Sequence, residues 1–121
     1  MYLPWLKIGS FLMFLGVALG AFGAHALKDK IGDYYLAVFK TGVLYHFVHG
    51  LALFAVAWLS TQSSDPKVQA AGIFFLAGII LFSGSLYLLS LTPMKWLGAV
   101  TPLGGLCFLI GWALLFLVKQ S

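Results

Sequence analysis

The stretch Val68–Met94, VQAAGIFFLAGIILFSGSLYLLSLTPM, runs for 27 residues without an aspartate, glutamate, lysine or arginine. A helix crosses a hydrocarbon core of ~30 Å with about 20 apolar residues, so this stretch is long enough to span a bilayer. Three more uncharged runs share the chain with it: Ile8–Leu27 (20 residues), Thr41–Ser64 (24) and Trp96–Val118 (23). None alternates polar and apolar residues as the strands of a membrane barrel do. In lipid a helix is then the open-ended way to satisfy the backbone. The sequence predicts an all-α fold: a bundle of four transmembrane helices, up-down-up-down, with both termini on one side. The helices are expected at about 5–26, 36–60, 69–91 and 96–118, in a single domain over 1–121 with no room for a soluble one.

Composition agrees. Of 121 residues, 62% are hydrophobic and 8% charged, and the mean hydropathy is +1.03. Soluble domains are about 45–50% apolar and about 25% charged. So small a domain cannot hide this much apolar surface in one core. A soluble enzyme, a nucleic-acid-binding domain and a disordered tail are excluded. The first run also carries Lys7 before it and Ala24-His25-Ala26 near its end, the form of a signal-peptide cleavage site. It is longer than a usual signal core, and a retained helix is expected. Cys107, the single cysteine, lies inside the fourth run and can form no internal disulfide.

Orientation is weakly encoded. Lys7, Lys67 and Lys119 fall on the side of the termini; Lys28, Lys30, Lys40 and Lys95 fall on the other, here called the loop side. The positive-inside rule needs a bias, and so slight a difference leaves both orientations open. The net charge of +4 favours anionic lipid headgroups; scattered lysines give no patch for nucleic acid. Tyr2, Trp5 and Trp58 are expected in an aromatic belt on the terminus side, and Tyr34, Tyr35, Tyr87 and Trp96 on the loop side. Asp33 can cap a long second helix beginning at Tyr34; a separate short interfacial helix is the alternative.

Glycines mark packing. Gly9, Gly16, Gly20 and Gly23 share one stripe of the first helix, and Gly98, Thr101 and Gly105 one face of the fourth. Such stripes let backbones approach closely in lipid, within the bundle or, alternatively, in a homo-oligomer. Pro102 either kinks the fourth helix or stands at its first position with Thr101 as cap.

Polar groups at membrane depth are costly unless paired, and they point to the candidate site. His25 ends the first helix; Tyr45, His46 and His49 lie in the first half of the second; Ser83, Ser85, Tyr87 and Ser90 end the third; Thr101 opens the fourth. All lie in the loop-side half, where the second, third and fourth helices are expected to enclose a small polar pocket. Neutral hydrogen-bonding histidines are the expected reading. His46 and His49, spaced i and i+3, could with His25 make a metal site as a weaker alternative, although His25 lies roughly opposite its own glycine stripe. No metal or other cofactor is expected. A Ser–His pair could be drawn from Ser83 or Ser85 with His46, but no nucleophile-elbow or HExxH motif accompanies it, and Asp29, Asp33 and Asp65 all lie in loops.

The same residues carry a family resemblance. Gly20-Ala-Phe-Gly-Ala-His-Ala-Leu27, Tyr45-His46-x-x-His49, Phe82-Ser-Gly-Ser-Leu-Tyr87, Thr101-Pro-x-Gly-Gly105 and Gly111-Trp112 occur in order along nearly the whole chain. Together they resemble the bacterial YgdD-like proteins, catalogued as domain of unknown function 423, and are similar to eukaryotic transmembrane protein 256. The resemblance implies a small four-helix integral membrane protein and brings no reaction or site residues with it. The expected protein is a non-enzymatic component of a bacterial inner membrane that binds a lipid-like molecule or a membrane partner. Histidine-dependent proton or small-molecule transport is the alternative, with an intramembrane metal site or enzyme behind it. Expected partners are membrane lipids, a second copy or another membrane protein.

Overall fold

In the computed structural model, which describes residues 3–119, the chain forms four long helices: α1 (Trp5–Leu27), α2 (Gly32–Gln62), α3 (Pro66–Leu91) and α4 (Lys95–Phe116). Each is long and apolar enough to cross a membrane, and no strand occurs among the described residues. Tyr2 lies outside the described residues.

The helix ends follow local chemistry. Gly32 takes φ +81°, a left-handed conformation that glycine adopts without strain, and turns the chain into α2. From there α2 runs unbroken for 31 residues, so no separate interfacial helix precedes it. Asp33 sits in its first turn, where a carboxylate favours the helix dipole, but Ile31 occupies the cap position and no side chain caps it. α3 starts at Pro66, and the preceding Asp65 accepts a hydrogen bond from the Lys67 N–H at 3.0 Å. α4 opens with a tight 3-10 turn over Lys95–Ala99 and continues as α-helix over Thr101–Phe116. Pro102 therefore falls in the first helical turn, where its missing N–H costs nothing. A mid-helix kink does not arise, and Val100, rather than Thr101, holds the cap position. Two helices include a wide π-helical turn, Ala18–Gly23 in α1 and Ile79–Ser83 in α3.

α1 packs on α2, while α3 packs on both α2 and α4. Gly9, Gly16, Gly20 and Gly23 all face α2: a Cβ built on them would lie 3.3 Å from Leu53, 2.9 Å from the Phe47 ring, 3.0 Å from Val43 and 3.1 Å from the Phe39 ring. On the other seam the Phe108 ring rests against Gly78, the Phe75 ring against Gly111, and the backbone of Phe82 fills the space a side chain on Gly104 would need. Gly98 does not take part, with nothing within 4 Å, and Gly105 meets only the Phe82 ring at 3.8 Å. The expected face of Gly98, Thr101 and Gly105 assumes α-helical phase throughout; the 3-10 turn before Thr101 breaks that phase and brings Gly104 to the contact.

Trp5 does not join an interfacial belt. It is 2% exposed, its indole lies over Gly72, and its Nε1–H donates to Gln69 Oε1 at 2.8 Å. Gln69 Nε2 donates in turn to Ser60 Oγ at 2.9 Å, tying α1, α3 and α2 together. The terminus-side half thus has a polar chain of its own, beyond the loop-side groups. Trp58, Tyr34 and Trp96 are exposed. Nearby, Asp65 Oδ2 accepts from the Lys119 N–H at 2.9 Å and lies 3.5 Å from Lys67 Nζ. These contacts join the first turn of α1 to the start of α3 and the end of α2, and the turn between α2 and α3 to Lys119 beyond α4.

Gly104→Ala is expected to destabilise the protein in detergent by about 1–3 kcal/mol, because the Phe82 backbone must move. Gly98→Ala, in open space, should leave the melting temperature unchanged or raise it. A second outcome concerns pH. The N–H groups of Lys119 and then Lys67 hold the Asp65 carboxyl below its ordinary value. The stabilisation from Asp65 is therefore complete above the ordinary carboxylate pKa and is lost as pH falls through the depressed value. Thermal melts across acidic pH should show this loss in the parent and a flatter profile in Asp65→Asn.

Candidate functional site

His46 is the polar centre of the bundle, 3% exposed. Its Nε2 lies 2.7 Å from the Leu12 carbonyl of α1, and its Nδ1 lies 2.8 Å from the Tyr87 hydroxyl of α3. A carbonyl only accepts, so Nε2 carries the hydrogen, and Nδ1 of the neutral ring accepts from the Tyr87 O–H. The ring passes beside Gly16, one turn beyond Leu12, where a Cβ would sit 3.4 Å from His46 Cδ2 and 2.9 Å from the Phe47 ring. Tyr87 is thus an internal tie between α3 and α2 rather than an interfacial residue.

His49, three residues on, faces α4. Its Nδ1–H donates to the Tyr45 carbonyl of its own helix at 2.9 Å, and its Nε2 accepts from the Trp112 Nε1–H at 3.0 Å. The indole N–H can only donate. A proton added at Nε2 would set two N–H groups face to face, so this arrangement fixes the neutral Nδ1–H form. The imidazole stacks on Phe108 with ring centres 3.6 Å apart and planes 11° from parallel. The Tyr45 ring is nearly parallel to both, at 6° and 15°.

These rings border a groove of about 570 Å³ between α2 and α4. His49 and Phe108 form its buried floor; Tyr45, Phe82, Leu106 and Trp112 wall it. Tyr45, Leu106 and Trp112 are 40%, 53% and 45% exposed, so the groove opens toward lipid. Trp112 and Phe108 were absent from the sequence-derived site. The signal available for Trp112 was an indole donor at membrane depth within the Gly111-Trp112 motif.

The remaining candidates do not form one pocket. Ser85 Oγ donates to the Phe82 carbonyl at 2.9 Å and lies 2.6 Å from Thr101 Oγ1, which joins α3 to α4. Ser90 Oγ donates to the Tyr87 carbonyl within its own helix. Ser83 is fully buried, and its hydroxyl has no hydrogen-bond partner among the described residues. Neither Ser83 nor Ser85 bonds to His46, so the Ser–His pair is not formed. The ties of His46, His49 and Ser85 share no atom, which replaces the expected polar pocket with three separate bridges. His25 is exposed at the end of α1, away from the glycine stripe. It does not join His46 and His49, whose ring nitrogens are already engaged. Among the described residues no group of three His, Cys, Asp or Glu could hold a metal.

Four membrane-length helices joined by hydrogen bonds at depth define a small all-helical integral membrane protein. Residues 19–105 match the family model described as Protein of unknown function (DUF423), and the chain belongs to that family. It is similar to the UPF0382 membrane protein YwdK of Bacillus subtilis, 52% identical over 109 residues that cover 89% of each chain. The UPF0382 membrane protein SAB0533 of Staphylococcus aureus is 46% identical over 110 residues, 91% of this chain and 89% of that one. A UPF0382 membrane protein of Staphylococcus epidermidis is 43% identical over 108 residues, 89% and 88% of the two chains. No solved structure matches the chain.

The geometry around His46 has a measurable consequence. His46→Leu removes two neutral hydrogen bonds, each worth about 0.5–1.5 kcal/mol. His46→Asp would set a carboxylate beside the Leu12 carbonyl, away from any cation, and should cost several times as much. Melting temperatures of the two variants in one detergent give the order directly; equal melting would remove His46 from the bundle centre.

Proposed function

We propose that this protein is a non-enzymatic membrane component that holds a lipid-like molecule in the groove between α2 and α4. The observation that carries this reading is the groove itself: about 570 Å³, open to lipid and walled by aligned aromatic rings. Small-molecule sites are commonly concave, largely apolar and of about 300–1,000 Å³. Helices α2 and α4 are bridged across it by side chains, His49 to Trp112 and His49 to Phe108, so the walls are set without the backbones closing the space. A non-catalytic role fits the hydroxyl pattern, because Ser85 is held by Thr101 and no histidine activates a serine. Proton transfer through the histidines is less well supported. Relay through His49 would have to break its bond to Trp112. The one carboxylate within the four helices, Asp33, lies in the first turn of α2, roughly four turns before His49.

A phospholipid bearing a photoreactive group in its acyl chain tests the reading in membranes. Crosslinks should concentrate on the segment from Thr101 to Trp112 and on Tyr45, and Leu106→Trp, which fills the groove mouth, should reduce them severalfold while the protein still melts like the parent. Uniform labelling around the bundle, unchanged by Leu106→Trp, would overturn the proposal.

A further inference from the structure

A second groove, of about 500 Å³, runs between α1 and α3 and is separate from the one above. Its walls are Ile8, Phe11 and Leu12 from α1 and Leu76 and Ile80 from α3, with Lys7 as the one charged residue lining it. Phe11 and Ile80 are 62% and 61% exposed, so the groove faces hydrocarbon along its length. Lys7 lies in the first turn of α1, where the helix dipole adds positive potential to the ammonium. Among the described residues the one ion pair is Lys67 with Asp65, and the acidic residues Asp29 and Asp33 lie beyond the far end of α1. Among the described residues Lys7 therefore makes no ion pair, with Asp65 engaged by Lys67 and Lys119, while five apolar side chains continue inward from it.

We propose that this groove is a binding site for an anionic phospholipid, with Lys7 holding the phosphate and one acyl chain lying along Phe11, Leu76 and Ile80. The arrangement is that of the ligand in reverse: one positive group at the terminus-side end and a hydrocarbon slot beneath it. A lysine stem near a helix end directs its ammonium to the headgroup level, so head and chain are met together. A zwitterionic lipid offers the same phosphate but brings its own cation to compete with Lys7. An anionic lipid brings none, and charge complementarity selects it.

The test uses the full chain in nanodiscs of phosphatidylcholine, with and without a minority of phosphatidylglycerol. Two quantities are read: the melting temperature, and the phosphatidylglycerol retained on the protein when it is released into the gas phase. The parent should melt higher with phosphatidylglycerol present and retain it preferentially. Lys7→Gln should bind it about fivefold more weakly and lose the rise in melting temperature, while melting like the parent in phosphatidylcholine alone. Lys7→Arg should keep both effects. Ile80→Trp, which blocks the slot and leaves the charge, should also reduce retention. Lys95→Gln, at the opposite side, should behave as the parent. The proposal is overturned if Lys7→Gln keeps the full effect, or if Lys95→Gln loses as much as Lys7→Gln, since the lipid would then be reading net charge alone. Because the variants leave Leu106 and Trp112 untouched, failure here is distinct from failure of the α2–α4 groove.

Discussion

Lipid tails are as apolar as leucine, so helices in a bilayer gain little by burying apolar surface and must instead gain by approaching closely. In this protein the approach is made by aromatic rings lodged on glycines. Phe47 lies on Gly16, Phe39 on Gly23, Tyr87 on Gly42 and Trp5 on Gly72. The α3–α4 seam uses the device twice and reciprocally, with Phe108 on Gly78 and Phe75 on Gly111. A flat ring against bare backbone gives a large contact area at short range, and it leaves the helix axes near enough for polar side chains to reach across. The hydrogen bonds at depth follow from that spacing: with Phe47 seated on Gly16, His46 lies beside it and reaches the Leu12 carbonyl.

The two histidines, close in sequence, consequently have different chemistry. His46 is held between a pure acceptor and a hydroxyl, which can reverse its role by rotating. His49 is held between a pure acceptor and a pure donor, which cannot. One ring is rigidly assigned and the other is bonded to a reversible partner, so substitutions that look equivalent at the two positions disturb unlike arrangements. His49 also fixes the spacing of the groove walls through Trp112 and Phe108, so the polar bridge and the apolar groove are parts of one construction.

Helix number was legible because lysines and aspartates punctuate the chain at membrane-length intervals, a property of the sequence that folding does not alter. The α1 stripe was legible for a similar reason: four glycines at helical spacing define a face whatever the partner. The α4 face was not, since its projection assumed α-helical phase through Gly98, where the chain makes a 3-10 turn. By residue type and distance from the helix ends, Trp5 and Tyr87 belong in the interfacial belts. Their burial depends on Gly72 and Gly42 of other helices, which no local pattern reveals. The candidate site was half legible. His46, His49, Ser85 and Thr101 were identified as polar groups needing partners, but the partners lie 16 to 63 residues away in the chain. The expectation of a single pocket treated proximity to one bilayer half as proximity to one another.

The π-helical turn at Ile79–Ser83 gives α3 a property of a different kind. Before it, Ala71, Gly72 and Phe75 set the buried face; after it, Leu86 and Ser90 are buried, with Tyr87 turned to His46. The wider turn adjusts the angular phase between these two halves. A π turn takes up about one residue more than an α turn, so loss of one residue there would leave the phase beyond it nearly unchanged. Loss of one residue in the α-helical part before it would instead rotate everything beyond by about 100°. Ser85 would leave Thr101 and Tyr87 would leave His46 together. The length of α3 before the turn is thus held by two bridges at once, while the turn itself is a place where the helix can shed a residue and keep its register.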